Sequence, residues 1–312
     1  LNDKKNNFKI LSHNFKGESQ ILKIKYNNTI HNINLKLIGK IQLKNILMAI
    51  LAANQSNIKI AKILKIIPKI KSVEGRFQKI GKLKNQSKVI LDYAHTPGAL
   101  KTCLLNLREQ FPNNKISLLF GCGGNRDQNK RSKMGKIADN LSDKIYLTDD
   151  NPRFENPKKI RKDIKKGIKK QKVIEISSRA KAIKKAIKNL TVGEILLIAG
   201  KGHEKTQDIG KQKIYFSDKK IILDEIRAKN LSLSHNLKLN IIKELSGNKK
   251  LSSTLSLSQA RINSKEIRKN DIFFAIKGKK NDGNKFVFQS FKKRGSLAIL
   301  KKIPNTLKNK HQ

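Results

Sequence analysis

The sequence predicts an α/β protein whose main body is a doubly wound, mostly parallel sheet. Three observations predict it. Between about residues 88 and 227, short apolar runs alternate with amphipathic stretches. The runs are Val89 to Leu91, Ile116 to Phe120, Ile145 to Leu147 and Ile195 to Ile198. Runs this apolar suit strands covered on both faces, and a βαβα succession places helices on either side of a parallel sheet. Finally, each run stops at a polar motif. These are Asp92-Tyr93-Ala94-His95-Thr96-Pro97, Gly121-Cys122-Gly123-Gly124-Asn125-Arg126-Asp127, Asp149-Asp150-Asn151-Pro152-Arg153 and Ala199-Gly200-Lys201-Gly202-His203-Glu204. Strand ends in a parallel sheet share one edge, and ligands bind along it. The four motifs therefore describe one polar rim.

The elements follow in order. Upstream, Ile21 to Tyr26 and Ile30 to Leu37 predict a hairpin around Asn27-Asn28. Asn45 to Ala53 predicts an apolar helix, and Ile58 to Ile67 another, stopped by Pro68. Pro97 sits in the first turn of a helix whose residues Leu100, Cys103, Leu104 and Leu107 follow i, i+3, i+4, i+7. Met134, Ile137, Ala138 and Leu141 repeat that spacing, and Ala180, Ile183, Ile187 and Leu190 do so more loosely. Pro157 opens a helix carrying Ile160, Ile164 and Ile168. Lys213 to Phe216 predict a short strand, and Ser217-Asp218 start a helix with Ile221, Ile222 and Ile226 inside it. Residues 231–258 are polar and predict a linker leading into a new unit. Residues 259–302 then predict a small α/β piece with strands at Asp271 to Ile276 and Leu297 to Lys301.

Composition narrows the function. At 312 residues there is room for about two domains. Two cysteines, Cys103 and Cys122, make neither a disulfide framework nor a metal-binding CxxC pattern. A reducing, cytoplasmic setting is expected. No apolar run approaches the ~18 residues of a membrane span. The net charge of +47 invites a nucleic-acid reading. Most of the basic residues are lysines, spread evenly with Ile and Asn, and Arg is scarce. No helix-turn-helix, zinc-finger or aromatic RNP pattern accompanies them, so specific nucleic-acid binding is not the leading expectation.

The four rim motifs, in this order and spacing, resemble the Mur ligase family of peptidoglycan synthesis. Within it they are most similar to the branch that adds meso-diaminopimelate to UDP-N-acetylmuramoyl-L-alanyl-D-glutamate. The similarity runs from about Gly39 to Arg227. Gly39-Lys40-Ile41-Gln42 through Asn45 resembles the end of the family's central ATPase domain, with Ile41 and Gln42 departing from its usual Phe-Asn. Glu74-Gly75-Arg76-Phe77-Gln78 resembles the hinge into the C-terminal domain, with Gln78 in place of an acid. Ile262 to Ile267, Asp271 to Gly278 and Asp282-Gly283 resemble the N-terminal, UDP-muramoyl-recognising domain of the next ligase, which adds D-alanyl-D-alanine. There Lys265 stands where Arg is usual. The resemblance implies four segments: 1–72 from a central domain, 73–230 a Rossmann-like C-terminal domain, 231–258 a linker, and 259–312 part of a second ligase. No Gly-x-x-x-x-Gly-Lys-Ser/Thr loop occurs in the 312 residues. The expectation is a fused fragment whose phosphate loop, modified lysine and Mg²⁺ ligands lie upstream of Leu1.

The family's reaction forms an acyl phosphate with ATP, which an incoming amine then attacks. It depends on positioning and charge stabilisation. Diaminopimelate carries two ammonium and two carboxylate groups, so its site needs cations and an acid. By resemblance, Arg153 of the Asp150-Asn151-Pro152-Arg153 tetrapeptide takes the distal carboxylate, and a guanidinium can do so bidentately. Arg126 supplies a second carboxylate contact, Glu204 pairs with the distal ammonium, and Gly200 offers backbone. Asn45, Arg76, Asp92 and His95 are the expected nucleotide neighbours. Read alone, each has a plainer role: Asp-Asn-Pro is a common turn, His95 a strand-end residue bonded to local backbone, and His203 a structural hydrogen-bonding residue. Cys122 reads as packing, and no residue of the chain itself is assigned to catalysis or to a metal. The alternatives are a non-catalytic Rossmann-like ligand-binding module and, further off, a basic nucleic-acid-binding protein.

Overall fold

The computed structural model describes residues 8–170, 173–235, 257–277 and 282–300. The chain divides into two compact units, 1–226 and 227–312.

The first unit opens with an antiparallel meander, β1 (Phe8–Lys16), β2 (Ser19–Tyr26) and β3 (Thr29–Leu35). Asn27 and Asn28 both take positive φ, as a tight hairpin turn requires. Strand β1 was not among the expected elements, because its polar residues Ser12, His13 and Asn14 hide the alternation. Leu22, Ile24, Ile33 and Leu35 face helices α1 (Lys40–Gln55) and α2 (Ile60–Ile66) in one apolar cluster.

Helix α1 starts at Lys40, earlier than the apolar run at Asn45 suggests. The reason is tertiary: Asn106 Oδ1 accepts from Ile41 N, and Gln110 Oε1 accepts from Gly39 N. Both acceptors cap orphan donors at the helix start. Pro68 does not simply stop α2; it sits inside a 3₁₀ turn, Ile67–Lys69.

The main sheet holds β4 (Gln78–Lys79), β5 (Lys88–Asp92), β6 (Ile116–Phe120), β7 (Lys144–Leu147), β8 (Val173–Glu175) and β9 (Ile195–Ala199). Their order is β4-β5-β9-β6-β7-β8, parallel except for the edge strand β4. All five residues of β6 and of β9 are buried, as the apolar runs require. Helices α3 (Pro97–Gln110), α4 (Lys130–Leu141) and α5 (Pro157–Lys165) cover one face. Helices α6 (Arg179–Lys188) and α7 (Asp218–His235) cover the other. The chain enters α3, α5 and α6 through side-chain caps from Thr96, Asn156 and Ser178. The expected α/β class with a doubly wound, mostly parallel sheet is the observed one.

Several boundaries differ from the sequence reading. Ile168 lies beyond α5, because the Asp139 carboxylate on α4 accepts from the backbone N–H groups of Lys169 and Lys170 and draws the chain off the helical path. Leu190 likewise lies past α6 but stays buried. The strand at Lys213 is half of a hairpin, β10 (Thr206–Ile209) with β11 (Gln212–Tyr215). Helix α7 runs to His235, so the stretch expected as a linker begins in helix; residues 236–256 lie outside the described ones.

The second unit carries a small parallel sheet, β12 (Ala260–Arg261), β13 (Ile272–Phe274) and β14 (Leu297–Ile299), with helix α8 (Val287–Lys292). Its strands are shorter than expected, and Lys301 lies outside the described residues. The buried Asp271 carboxylate accepts from Gln259 N, Arg268 N and Arg261 Nε and organises the loops around β13.

In the first unit Arg179 is fully buried and bound through Nε and Nη2 to both oxygens of the equally buried Asp218, at 2.9 and 2.7 Å. Removing one partner of such a pair leaves an uncompensated charge. Arg179→Met is expected to lower stability by about 3–5 kcal/mol. Chemical denaturation checks this; a loss below about 1 kcal/mol would mean that the pair contributes little.

Candidate functional site

The strand order sets the order of the loops along the carboxyl edge. The loop after β5 carries Tyr93 and His95, and the loop after β9 carries Gly200 to Glu204. The loops after β6 and β7 follow with Arg126 and with Asp150 to Arg153. All four predicted motifs therefore meet at one rim.

Glycine permits the closest approach there. A Cβ on Gly124 would lie 2.0 Å from the carbonyl oxygen of Pro152, so only glycine lets the second and third motifs pack backbone to backbone. The contact is locked by Gly124 N, which donates to Asn151 O at 2.9 Å, and by Arg153 Nη1, which donates to Gly124 O at 2.8 Å. Arg153 itself has a φ of 51°, and its N–H donates to Asp208 O on β10. The half-buried guanidinium thus uses one of its five donors on Gly124. Arg126 is exposed on the neighbouring loop.

Asn151 and Glu204 lie side by side. Asn151 Nδ2 donates to Glu204 Oε2 at 3.1 Å. Between them lies Lys201, fully buried, whose Nζ donates to Asn151 Oδ1 and to Glu204 Oε2, each at 2.8 Å. Burial pushes the Glu204 carboxyl up, but the Lys201 ammonium and the bonds from Asn151 and Tyr93 outweigh it and hold Glu204 below its ordinary value. Asp150 is buried deeper, and burial pushes its carboxyl up against the pull of Arg179 and Lys201. Its Oδ2 and the Nη1 of Arg179 stand 3.9 Å apart, and neither has a hydrogen-bond partner among the described residues. The Asp150 carbonyl accepts from Gln207 Nε2. Pro152 serves through its backbone, and Gly200, with a φ of 116°, leaves room beside Asp150 Oδ2.

The expected nucleotide residues divide. The Arg76 guanidinium lies over the Tyr93 ring, 4.6 Å from its centroid, a cation–π contact. His95 meets the same ring edge-on at 4.6 Å, and His203 lies 5.4 Å from it. Arg76, His95 and His203 are exposed and form one polar-aromatic platform. His95 Nδ1 also bonds the Tyr93 carbonyl at 2.8 Å, the local contact that a strand-end histidine makes. His203, expected as a structural hydrogen-bonding residue, is instead a solvent-facing ring against Tyr93. Asp92 does not face the rim. It is buried, with Oδ2 accepting from Phe77 N at 2.6 Å and Oδ1 from Ala94 N at 2.8 Å, so it fixes the segment before β4 to β5. Asn45 is exposed on α1, one helical turn from Gln42, whose Nε2 donates to Arg76 O.

Three residues that build the site had no role assigned from sequence. Lys201 and Arg179 join the loops from below. Arg131, also fully buried, binds the Glu155 carboxylate through Nη2 and Asp163 through Nη1 beneath the Gly123-Gly124 loop. A lysine between two glycines was the visible signal for Lys201; nothing local marks Arg131 or Arg179. Cys122 is a packing residue, as expected: burial pushes its thiol up to about 12, and Sγ lies 3.6 Å from Met134 Sδ. Among the described residues no group of three His, Cys, Asp or Glu side chains could hold a metal ion, and no helix is long and apolar enough to cross a membrane.

A parallel α/β domain with polar loops gathered at its carboxyl edge is a ligand-binding domain of the Rossmann-like class. Residues 75–202 match the family described as "Mur ligase, glutamate ligase domain". The chain belongs to the Mur ligase family, of which these residues are the C-terminal domain. It is 41% identical over 229 residues to a UDP-N-acetylmuramoyl-L-alanyl-D-glutamate–2,6-diaminopimelate ligase of Rickettsia prowazekii, a match covering 70% of this chain and 47% of that one. The Buchnera aphidicola enzyme of the same name is 44% identical over 64% of this chain and 39% of its own. A solved structure with that name aligns with a TM-score of 0.57 at 30% identity, covering 75% of this chain and 47% of the other. The chain thus spans about half the length of the curated relatives it matches.

The pH dependence of this network follows from its charges. A carboxyl held below its unfolded value contributes stability above that value and loses it as pH falls through the folded one. The stability difference between the wild type and Glu204→Gln should be greatest near neutrality and should shrink below the ordinary carboxylate range, about pH 4. Urea unfolding from pH 7 to 3 measures it; a difference that grows on acidification contradicts the assignment.

Proposed function

We propose that this chain is the amino-acid-binding half of an ATP-dependent ligase that adds meso-diaminopimelate to UDP-N-acetylmuramoyl-L-alanyl-D-glutamate. The observation that carries this reading is the convergence of Arg153, Asn151 and Glu204 on one rim, with Asn151 and Glu204 hydrogen-bonded to each other. A guanidinium and a carboxylate held on loops of one sheet edge suit a ligand that carries both charges. Arg153 binds the distal carboxylate, Arg126 adds a second cation from the exposed loop, and Glu204 accepts from the distal ammonium. Asn151, Pro152 and the Gly200 backbone shape the wall between them, with Asp150 beneath. The similarity to enzymes named as diaminopimelate ligases supports the same substrate.

ATP lies against the neighbouring platform in this reading. Arg76 and His95 face it, Asn45 approaches from α1, and Asp92 acts indirectly by holding Phe77 N and the hinge. Magnesium accompanies ATP in the same reading, its ligands expected beside the phosphate loop of the intact ligase. The segment boundaries at 72 and 230 and the second-ligase assignment of 259–312 are part of the same proposal. No nucleic-acid or membrane partner is invoked, and a cytoplasmic setting fits the substrates.

Two outcomes test it. The 312 residues by themselves contain no phosphate loop and should not turn over ATP with Mg²⁺ and both other substrates. Robust ligation by this chain alone would refute the assignment of the nucleotide machinery.

In an intact ligase carrying this domain, Arg153→Ala should cost about 1.5–3 kcal/mol in kcat/KM for meso-diaminopimelate while sparing ATP. L-Lysine lacks the distal carboxylate, and a site that leaves a polar group unpaired rejects such an analogue by ~10⁴ or more. Steady-state kinetics with both amino acids, in wild type and Arg153→Asn, decide the point. Comparable efficiencies in the wild type would remove Arg153 from the role; selection that survives the substitution would transfer it, with Arg126 the first candidate.

A further inference from the structure

Lys201 is the one member of its loop that is charged and fully buried. A buried ammonium is costly unless it is paired and hydrogen-bonded, and an apolar side chain of similar size would fill the space without that cost. Its charge is therefore explained by what it does to its neighbours.

The geometry has three consequences. Lys201 links the loop after β9 to the loop after β7, although β6 lies between those strands. It fixes the Asn151 amide: Oδ1 accepts from Lys201 Nζ and from Asp208 N at 3.1 Å, which turns Nδ2 toward Glu204. It also occupies Glu204 without saturating it. A carboxylate has about four lone-pair sites. Lys201 and Asn151 both donate to Oε2, and Glu204 remains partly open to solvent.

We propose that Lys201 is a positioning residue of the amino-acid pocket: its buried ammonium aligns Asn151 and Glu204 and leaves one acceptor site of Glu204 aimed at a ligand ammonium. The pocket role rests on the ligase reading above; the alignment of Glu204 does not. Facing Glu204 are Lys201, Asn151 and Tyr93, with Asp150 and Arg179 further off and Arg76 beyond the Tyr93 ring. Of these, Lys201 is the only cation bonded to it.

The test has two arms. In the 312-residue chain, the Glu204 carboxyl carbon is followed by NMR titration, assigned with Glu204→Gln. The wild-type midpoint should lie below the ordinary glutamate value, and Lys201→Met should raise it by about one pH unit or more. Lys201→Arg should keep it low. An ordinary or raised midpoint in the wild type overturns the proposal without recourse to any variant. So does an unchanged midpoint in a folded Lys201→Met.

In an intact ligase, Lys201→Met should lower kcat/KM for meso-diaminopimelate ~10-fold or more, the scale of a lost charge-assisted bond, with KM for ATP unchanged. The acidic limb of its pH profile should move up, and Lys201→Arg should recover much of the loss. Equal losses for both substrates with the limb in place would reduce Lys201 to a filler and overturn the proposal. If Glu204→Gln and Arg153→Ala leave diaminopimelate kinetics untouched, the pocket reading fails instead, while the titration still judges the alignment.

Discussion

The insertion of β9 between β5 and β6 is the constraint on which the rest of the domain depends. The last parallel strand enters the centre of the sheet, so its loop emerges between the loops of two strands laid down much earlier in the chain. That placement lets Gly200 to Glu204 reach Tyr93 on one side and Asn151 on the other. It also explains why β9 is the most completely buried strand along with β6: both have parallel neighbours on each side and helices above and below.

Among the described residues, Arg131, Arg179 and Lys201 are fully buried cations beneath the rim. Arg131 holds the loop after β6, Arg179 ties β9 to the start of α7, and Lys201 joins the loops after β7 and β9. Each is matched to carboxylates and carbonyls, the condition under which a buried charge is tolerated. A rim held this way presents its side chains on a support of buried, paired charges.

The two departures from the family pattern near the hinge acquire a shared role. Gln78 Oε1 accepts from Gly75 N, and Gln42 Nε2 donates to Arg76 O. Together with Asp92, which takes Phe77 N, they satisfy the backbone of the segment that enters the main sheet. Gly75 is pressed so closely on Gly202 and His203 that a Cβ would lie 2.2 Å from His203 N. Where an acid is usual, a neutral amide does the local work of bonding, and Glu74 instead pairs with Lys219 at 2.7 Å.

The sequence by itself determined the class of fold, the four strand-end motifs and the family, because continuous apolar runs, helical repeats and short motifs are local signals. That the motifs of Arg153, Asn151 and Glu204 share one edge was legible, since a parallel sheet brings its strand ends together. What only the tertiary structure decided were contacts made across the chain. The start of α1 depends on Asn106 and Gln110, sixty or more residues away, and the end of α5 on Asp139. Asp92, read as a nucleotide neighbour, proved to be committed to the backbone of Phe77 and Ala94. Lys201, Arg179 and Arg131 look in sequence like any of the 70 basic residues. Their burial and pairing arise from the strand order, and no local pattern encodes which of many cations the fold will enclose.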